Sequence, residues 1–376
     1  MAYYNEIYSR YREFDFDTFF RNTTAAEVMA ALARERPGRE DFLTLLSPAA
    51  GSHLEEMARK AHHLTVRNFG RVIFLFTPLY LSDYCENWCA YCGFNAGNAF
   101  ARRKLTQQEL EEEARRIAET DLKHVLILTG ESRRHSPPSY IRECVQTLKK
   151  YFSSISVEIY PLDAEEYGEL VAAGVDGLTI YQEVYNEKIY DEVHPAGPKK
   201  NFHYRLDAPG RGCMAGMRTV TVGSLLGLAD WRREAFFAGI HADYLQNKYW
   251  DVEIGVAFPR LRPHAGNFQS ASTVDDRSFI QALLASRLFL PRAGITVSTR
   301  EDSVLRDHIL PLGVTKMSAW SSTEVGGRLE PRRQTSQFEI SDHRTVGEMK
   351  ETLLQKGYQP IFKDWHTVTR DDENLP

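Results

Sequence analysis

The 376-residue sequence predicts an α/β fold in which eight parallel strands, each followed by helical sequence, close into a TIM-type barrel. After residue 70, short apolar runs rich in β-branched and aromatic residues alternate with helical segments, a pattern that requires parallel pairing and right-handed crossovers. Eight such runs occur, at 72–76, 124–128, 155–160, 177–181, 218–222, 253–258, 295–299 and 316–320. The functional site of such a barrel forms at the C-terminal ends of its strands.

Helical sequence is expected on both sides of this barrel. We predict an N-terminal helical extension (1–70), the barrel (71–323) and a C-terminal extension (324–376) that forms a helical cap. A helix at 106–120 is the clearest within the barrel, because Thr106 and Glu109 have the spacing of a capping box. The pattern in the extensions predicts helices at 24–33, 38–46, 52–68 and 342–355, and a loop at 325–340.

Composition and charge exclude several classes of protein. Apolar residues make up 43% and charged residues 26%, which excludes disorder for most of the chain. With 46 Lys and Arg against 51 Asp and Glu, the net charge of −5 argues against a nucleic-acid-binding protein. The longest apolar stretch, 72–81, is too short and too interrupted to span a membrane. The N-terminus lacks the apolar core of a signal peptide, so we expect a cytoplasmic protein.

Three of the five cysteines, Cys85, Cys89 and Cys92, fall within eight residues, directly after the first predicted strand. An odd number of cysteines in a chain of this size argues against a disulfide framework. Cys144 lies on the apolar face of a predicted helix, and Cys213 lies in a Gly-rich turn. We therefore expect both to be packing residues rather than reactive ones.

The clustered thiols point to a metal centre with one open position. Thiolates select zinc, Cu(I) or iron–sulfur clusters. A structural zinc site needs four ligands, and no fourth cysteine lies nearby. A [4Fe–4S] cluster normally takes four cysteines, so three would leave one iron free for an exogenous ligand. A three-thiolate zinc site and three unrelated buried cysteines are the alternatives.

The Cys85-x3-Cys89-x2-Cys92 spacing, with Tyr91 just before the third cysteine, resembles the signature of the radical S-adenosylmethionine enzymes. The resemblance implies that the amino and carboxylate groups of S-adenosylmethionine chelate the open iron. One electron from the cluster then breaks the sulfonium bond and releases a 5′-deoxyadenosyl radical. The cofactor supplies this chemistry, and the protein positions it.

The same resemblance assigns residues around S-adenosylmethionine. Gly130 and Glu131, at the end of the second strand, match a Gly-Gly-Glu-type motif that holds the methionine amino group, although Thr precedes them here. Glu158 is expected at the ribose hydroxyls, and Arg205 at the methionine carboxylate. Gly223 opens a segment expected beside the adenine. The alternatives are an outward-facing position for Glu158 and a surface salt bridge for Arg205.

Over residues 46–365 the chain resembles a narrower group, the 2-iminoacetate synthase family of tyrosine lyases in thiamine thiazole formation. The matching segments begin at Leu46, Pro78, Tyr181, Phe258, Ser298 and Lys363, the last reading Lys-Asp-Trp. The resemblance implies that the radical takes hydrogen from the amino group of L-tyrosine. Fragmentation of the Cα–Cβ bond then gives 2-iminoacetate (dehydroglycine) and p-cresol, with 5′-deoxyadenosine and methionine. It also implies a biotin- and thiamine-synthesis-associated region at about 215–323.

Substrate residues follow from this resemblance. A tyrosine carboxylate needs a fork of donors, which arginine provides, and three arginines follow strand ends: Arg260, Arg262 and Arg300. By its place in Ser-Thr-Arg-Glu, Arg300 resembles the carboxylate anchor, Ser318 a second carboxylate contact, and Tyr80 a residue beside the amine. The alternatives are core packing for Tyr80 and Ser318, and pairing with Glu301 for Arg300. Glu183 could serve either the ribose or the substrate.

The resemblance also implies partners: a reductant such as flavodoxin or ferredoxin, and the thiazole synthase. Two related activities are alternatives. Hydrogenase-maturation tyrosine lyases need a second cluster in a C-terminal extension, and this sequence has no cysteine after Cys213, so we expect that second step to be absent. A tryptophan lyase would share the arginine anchor. A non-catalytic metal-binding scaffold is the alternative from a different class.

Overall fold

The computed structural model describes residues 3–266, 268–270, 272–330 and 336–363. All eight predicted strands are present: β1 (Val72–Ser82), β2 (His124–Thr129), β3 (Ser154–Glu158), β4 (Gly177–Thr179), β5 (Thr219–Gly223), β6 (Glu253–Ala257), β7 (Gly294–Val297) and β8 (Lys316–Ser318). Each strand pairs in parallel with the next, and β1 pairs with both β2 and β8. The sheet therefore closes into the predicted barrel.

Strand β1 continues well past its predicted end and includes a proline. The backbone groups Phe74 N and Phe76 O both form hydrogen bonds on the β8 side of β1. Because every second residue of a strand faces the same neighbour, the backbone nitrogen of Pro78 also points to that side. The β1–β8 pairing stops at Phe76 and Ser318. The next acceptor, Ala319 O, instead takes a hydrogen bond from the Thr77 hydroxyl at 2.7 Å. The missing N–H of Pro78 therefore leaves no acceptor unsatisfied.

A ninth strand, β9 (Gln359–Ile361), pairs in parallel with residues 72–74 of β1 and was not predicted. Only three residues form it, and one of them is a proline, so no local pattern marks it. Phe74 pairs with Lys316 of β8 and with Ile361 of β9, which places these two strands on opposite sides of β1. The Asp and Trp of the Lys-Asp-Trp segment lie outside the described residues.

Helices surround the barrel and form the extensions. They are α1 (Ser9–Tyr11), α2 (Phe16–Asn22), α3 (Ala25–Ala33), α4 (Arg39–Leu46), α5 (Leu54–Phe69), α6 (Gln107–Ala118), α7 (Pro138–Leu148), α8 (Ala164–Ala173), α9 (Glu187–Val193), α10 (Phe202–Leu206), α11 (Ala208–Met214), α12 (Trp231–Lys248), α13 (Asp276–Phe289), α14 (Ser303–His308) and α15 (Val346–Gln355). A π-helical turn at Tyr4–Tyr8 and 3-10 turns at Ala49–His53, Pro198–Lys200 and Leu310–Leu312 complete the set. Among the described helices, none has the length and apolarity needed to cross a membrane.

Local sequence signals predicted the helix that starts after Thr106 and the helix position of Cys144, but they did not predict the helix that contains Cys213. The Thr106–Glu109 capping box is formed, and α6 starts directly after Thr106. Cys144 is fully buried on α7, as expected. Cys213 is also buried, but it lies in α11 rather than in a turn. The adjacent Gly212 serves packing, because a Cβ there would press into the side chain of Leu178.

A buried ion pair fastens the C-terminal extension to the barrel. The side chains of Arg328 and Glu113 are 4% and 1% exposed, and Arg328 Nη1 lies 3.4 Å from Glu113 Oε2. Arg328 Nη2 also donates to the Thr77 hydroxyl at 2.8 Å and to Trp320 O at 2.8 Å. The first residues of the extension are thereby held against α6 and the middle of β1.

We expect Arg328→Met to lower the free energy of unfolding by about 3–5 kcal/mol, because it leaves the Glu113 carboxylate buried without its cation. The double variant Arg328→Met/Glu113→Gln should recover part of this loss, since no uncompensated charge remains and the glutamine oxygen still accepts from the N–H groups of Arg328 and Leu329. Urea denaturation followed by circular dichroism measures both. Equal stability of the single and double variants would show that the pair does not act as a unit.

Candidate active site

One cavity at the carboxyl ends of the strands gathers most of the predicted site residues. Its described lining includes Tyr80, Cys85, Cys89, Tyr91, Cys92, Gly130, Glu131, Glu158, Arg205 and Arg300. It also includes residues to which sequence reasoning gave no role, among them Asn87, Lys199, Gln337 and Phe338. These groups come from the ends of several strands and from the C-terminal extension, so the cavity has the position that the barrel predicts for a functional site.

The three cysteines lie on the loop between β1 and α6, and all three are free thiols that face the cavity. The Asn95 side chain donates to Cys89 O at 2.8 Å, and the backbone N–H of Cys92 donates to the same oxygen at 3.3 Å, so the loop folds tightly. Among the described residues, no three His, Cys, Asp or Glu side chains surround a single-ion position. Three thiols around one open space fit a cluster that presents a separate iron to each of them.

Burial makes these thiols hard to ionise without a metal. It raises the pKa of Cys92 to about 11, with the nearby Cys85 contributing, and it raises the pKa of Cys89 as well. The cation of Lys199 acts in the opposite direction on both groups. Because thiolates are the ligand form, cluster binding must displace protons here, and the affinity for iron should fall at low pH.

The residues that follow β2, Gly130 and Glu131, are hydrogen-bonded to the end of β1 and to the cysteine loop. Gly130 N donates to Ser82 O at 2.8 Å, and a Cβ at Gly130 would collide with Tyr84 O, so only glycine fits. Glu131 Oε2 accepts a hydrogen bond from Asn87 Nδ2 at 2.6 Å. The carboxylate of Glu131 is thereby held next to the cysteines with acceptor capacity remaining.

A buried group of charged side chains lines the same cavity. Glu183 has φ +72° and accepts hydrogen bonds from Lys199 Nζ at 2.8 Å and from Arg205 Nη2 at 3.3 Å. Arg205 Nε donates to Tyr181 O at 2.7 Å. Burial acts to raise the pKa of Glu183, but the two cations outweigh it and lower the pKa below its usual range. Arg205 is therefore a buried ion-pair partner and not a surface salt bridge.

The pKa of Glu158 is shifted in the opposite direction from that of Glu183, although the two carboxyl groups are close. Burial raises the pKa of Glu158 to about 7, and the negative charge of Glu183 contributes. No hydrogen bond from the described part of the chain reaches the Glu158 carboxyl, which lines the cavity rather than facing outward. A carboxyl with free acceptor positions in a cavity fits a ligand that offers hydroxyl donors.

Arg300 faces the cavity with most of its donors unused. Within the described residues, its guanidinium makes one hydrogen bond, from Nη1 to Arg260 O at 3.4 Å, and its central carbon lies 3.4 Å from the centroid of the Phe338 ring. Glu301 pairs with Arg260 and not with Arg300. Burial lowers the pKa of Arg300. A desolvated guanidinium that pairs with no carboxylate from the described part of the chain fits an anionic ligand.

Tyr80 and Tyr91 are both buried with their hydroxyls bonded. Tyr80 OH donates to Gln337 Oε1 at 2.6 Å, and its ring packs edge-on against Phe94. Tyr91 OH lies 2.7 Å from His194 Nε2. Both side chains line the cavity, so Tyr80 is more than a core residue.

Two predicted site residues, Gly223 and Ser318, are not among the described residues that line the cavity. Ser318 is buried below it, and its hydroxyl accepts the Thr299 N–H at 3.1 Å. This bond fixes the backbone just before Arg300. A Cβ at Gly223 would collide with Ala257 O and lie 2.9 Å from the ring of Tyr181. Gly223 therefore makes room for Tyr181, which does line the cavity.

Sequence reasoning missed Lys199, Asn87, Gln337 and Phe338. Lys199 follows a proline in a Gly-Pro-Lys-Lys turn, a pattern typical of exposed loops. Gln337 and Phe338 lie in a segment without periodic pattern, far along the chain from the cysteines. Only the folded chain brings these three residues to the cavity, so no local signal could have found them. Asn87 is different, because it lies between Cys85 and Cys89 and its place in the motif could have indicated it.

Two family models match the sequence. Residues 79–236 match the Radical SAM superfamily, and residues 257–359 match the Biotin and Thiamin Synthesis associated domain. Two relatives are 2-iminoacetate synthases. The one from Salmonella typhimurium is 37% identical, and the one from Escherichia coli is 38% identical. Each match spans 360 residues, 95% of this chain and 96% of the relative.

Solved structures agree with these matches. HydG, a maturase of the [FeFe]-hydrogenase, superposes with a TM-score of 0.89 at 29% identity, over 96% of this chain and 81% of HydG. HydG from Carboxydothermus hydrogenoformans gives 0.83 at 32% identity, over 96% of this chain and 83% of that one. Methylornithine synthase (PylB) gives 0.70 at 22% identity, over 89% of this chain and 97% of PylB, and shows a shared fold.

Proposed function

The chain belongs to the 2-iminoacetate synthase family of the radical S-adenosylmethionine superfamily, and from this we propose that it cleaves the Cα–Cβ bond of L-tyrosine. The products are 2-iminoacetate and p-cresol, with 5′-deoxyadenosine and methionine formed from S-adenosylmethionine. The observation that carries this proposal is that three free thiols line one cavity together with Arg300, which forms no ion pair with a carboxylate of the described residues. The thiols suit the cofactor, and the arginine suits an amino acid substrate.

The cofactors are a [4Fe–4S] cluster and S-adenosylmethionine, which together supply a 5′-deoxyadenosyl radical when bound. Cys85, Cys89 and Cys92 would hold the cluster. Their position on one tightly bonded loop favours this assignment, because the loop brings all three thiols to one cavity.

Four charged or small residues would hold S-adenosylmethionine. Glu131, beside the cysteines, is an acid suited to the methionine ammonium, and Gly130 allows the backbone to approach closely. Arg205 would attract the methionine carboxylate, with Glu183 and Lys199 fixing its position. Glu158 would accept hydrogen bonds from the ribose hydroxyls.

Tyr91 and Gly223 would have supporting roles at the cofactor. Tyr91 would pack beside the cofactor, with its hydroxyl bonded to His194. Gly223 leaves room for the ring of Tyr181, which lines the same cavity.

The substrate side is built around Arg300. Its guanidinium would bind the tyrosine carboxylate, and Phe338 would hold its plane. Tyr80, in the same cavity, would lie beside the amino group from which hydrogen is removed. Ser318 would act as a positioning residue, because its hydroxyl holds Thr299 N and thereby the start of the Arg300 segment.

Product analysis tests the proposed activity. The protein, reconstituted anaerobically with iron and sulfide, is incubated with S-adenosylmethionine, dithionite and L-tyrosine. We expect p-cresol and glyoxylate, the hydrolysis product of the imine, in equal amounts. L-tryptophan in place of L-tyrosine should give no indole-containing product. A tryptophan-derived product, or 5′-deoxyadenosine without p-cresol, would contradict the proposed substrate.

We also propose partners from the family resemblance. Flavodoxin or ferredoxin would supply the electron, and the thiazole synthase would take up the imine, in the cytoplasm. The chemistry of the product supports a nearby consumer, because an imine of glyoxylate hydrolyses in water. Pull-down of thiazole synthase by the reconstituted protein tests the second partner.

A further inference from the structure

A short segment of the C-terminal extension lies directly on the cysteine loop. We call residues 336–338 the strap. Gly93 N donates to Gln337 O at 2.9 Å, and Gln337 N donates to Thr323 O at 3.1 Å, so both backbone groups of Gln337 are bonded. A Cβ at Gly93 would collide with Ser336 O and lie 2.8 Å from Gln337 O. The strap is thus packed against the residue that follows Cys92.

The side chain of Gln337 joins a cysteine to a tyrosine. Its Nε2 lies 3.7 Å from Cys92 Sγ, within hydrogen-bond range for sulfur, and its Oε1 accepts from Tyr80 OH at 2.6 Å. This orientation of the amide suits a cluster-bound cysteine. A thiolate can only accept, so the amide nitrogen must face the sulfur, and the carbonyl oxygen remains for the phenol proton.

We propose that Gln337 tunes the cluster, because its amide donates a hydrogen bond to the ligand Cys92 while it holds the hydroxyl of Tyr80. Reduction adds negative charge to the cluster, and a donor to a ligand sulfur stabilises that charge and raises the reduction potential. The inference rests on the proposed function, since it takes Cys92 as a cluster ligand. It adds a positioning residue that links the cluster to the substrate side of the cavity.

The two halves of the Gln337 amide can be tested separately. Gln337→Leu removes the hydrogen bonds to Cys92 and to Tyr80. Gln337→Glu keeps an acceptor for Tyr80 but replaces the donor at the sulfur with negative charge. Tyr80→Phe removes only the phenol bond. Gln355→Leu, on the exposed face of α15, is the matched control.

The readout is the midpoint potential of the reconstituted cluster, obtained by redox titration followed by EPR without S-adenosylmethionine or tyrosine. We expect the potential to shift to more negative values in Gln337→Leu and Gln337→Glu, and to stay at the parent value in Tyr80→Phe and Gln355→Leu. An unchanged potential in either Gln337 variant, or an equal shift in Tyr80→Phe, would overturn the proposal.

Cluster content separates this role from a merely structural one. Iron and sulfide analysis should show that both Gln337 variants assemble a cluster, because three thiols remain. Failure of both to do so would also contradict tuning, since it would make Gln337 a requirement for assembly. The titration uses no substrate, so a wrong assignment of tyrosine as substrate would leave its result intact. Absence of any cluster in the parent protein would instead refute the proposed function.

Discussion

Replacing Cys89 by alanine is expected to abolish the formation of 5′-deoxyadenosine. Cys89 is 5% exposed and faces the cavity between Cys85 and Cys92 on one loop. Its loss would leave two thiols for a cluster that needs three protein ligands to keep one iron open for S-adenosylmethionine. The measurement is chromatography of 5′-deoxyadenosine after anaerobic reconstitution and reduction, together with the visible charge-transfer absorption of the cluster.

Cys144→Ala is the matched control for this experiment. Cys144 is also buried, but it lies on α7 and is not among the described residues that line the cavity. We expect this variant to bind iron and to cleave S-adenosylmethionine as the parent does. Deoxyadenosine formation by Cys89→Ala at the parent rate would show that the three cysteines do not bind the cluster together.

Arg300→Ala should weaken the use of tyrosine more than the cleavage of S-adenosylmethionine alone. A desolvated ion pair with a substrate carboxylate is worth about 2–4 kcal/mol. This corresponds to a rise of tens- to hundreds-fold in the KM for tyrosine in p-cresol formation. Deoxyadenosine formed in the absence of tyrosine reports on the cofactor side and should change little.

Arg262→Ala provides the comparison for Arg300. Arg262 also follows a strand end, but its guanidinium bonds to the Ser341 hydroxyl, and it is not among the described cavity residues. Arg300→Lys, which keeps the charge but loses the fork, should lie between the parent and Arg300→Ala. A tenfold or smaller rise in KM for Arg300→Ala, or an equal rise for Arg262→Ala, would remove Arg300 from the role of carboxylate anchor.

The barrel was predictable because its signals are local. Each strand is a short apolar run, α6 begins at its own capping box, and the three cysteines lie within eight residues. Strand β9 was not predictable, because three residues that include a proline carry no periodicity. The start of β1 was predicted correctly, but its C-terminal end was missed. The strand continues through Pro78 because the Thr77 hydroxyl replaces the missing backbone donor, and this depends on a contact with the chain after β8.

The site residues were predictable where they belong to a sequence motif. They were less predictable where their role depends on contacts with residues far away along the chain. The sequence indicated Arg205 and Glu183 separately, but it indicated neither their pairing nor Lys199. The three residues meet only in the folded chain, where Glu183 has a positive φ. Ser318 alternates with buried neighbours on a short strand, and which face it occupies follows from the closure of the barrel. Such contacts are set by packing and not by local pattern.

The strap also has a consequence for biogenesis. A ribosome delivers the cysteines well before it delivers residues 336–338. A nascent chain whose synthesis has not reached Gln337 therefore displays Cys92 and Gly93 uncovered, whatever the rest of the barrel has achieved. A cluster delivered at that stage would bind before Gln337 reaches Cys92, whereas a cluster delivered to the finished chain would meet Gln337 already in place. The timing of iron–sulfur delivery therefore decides whether metallation or docking of the strap comes first.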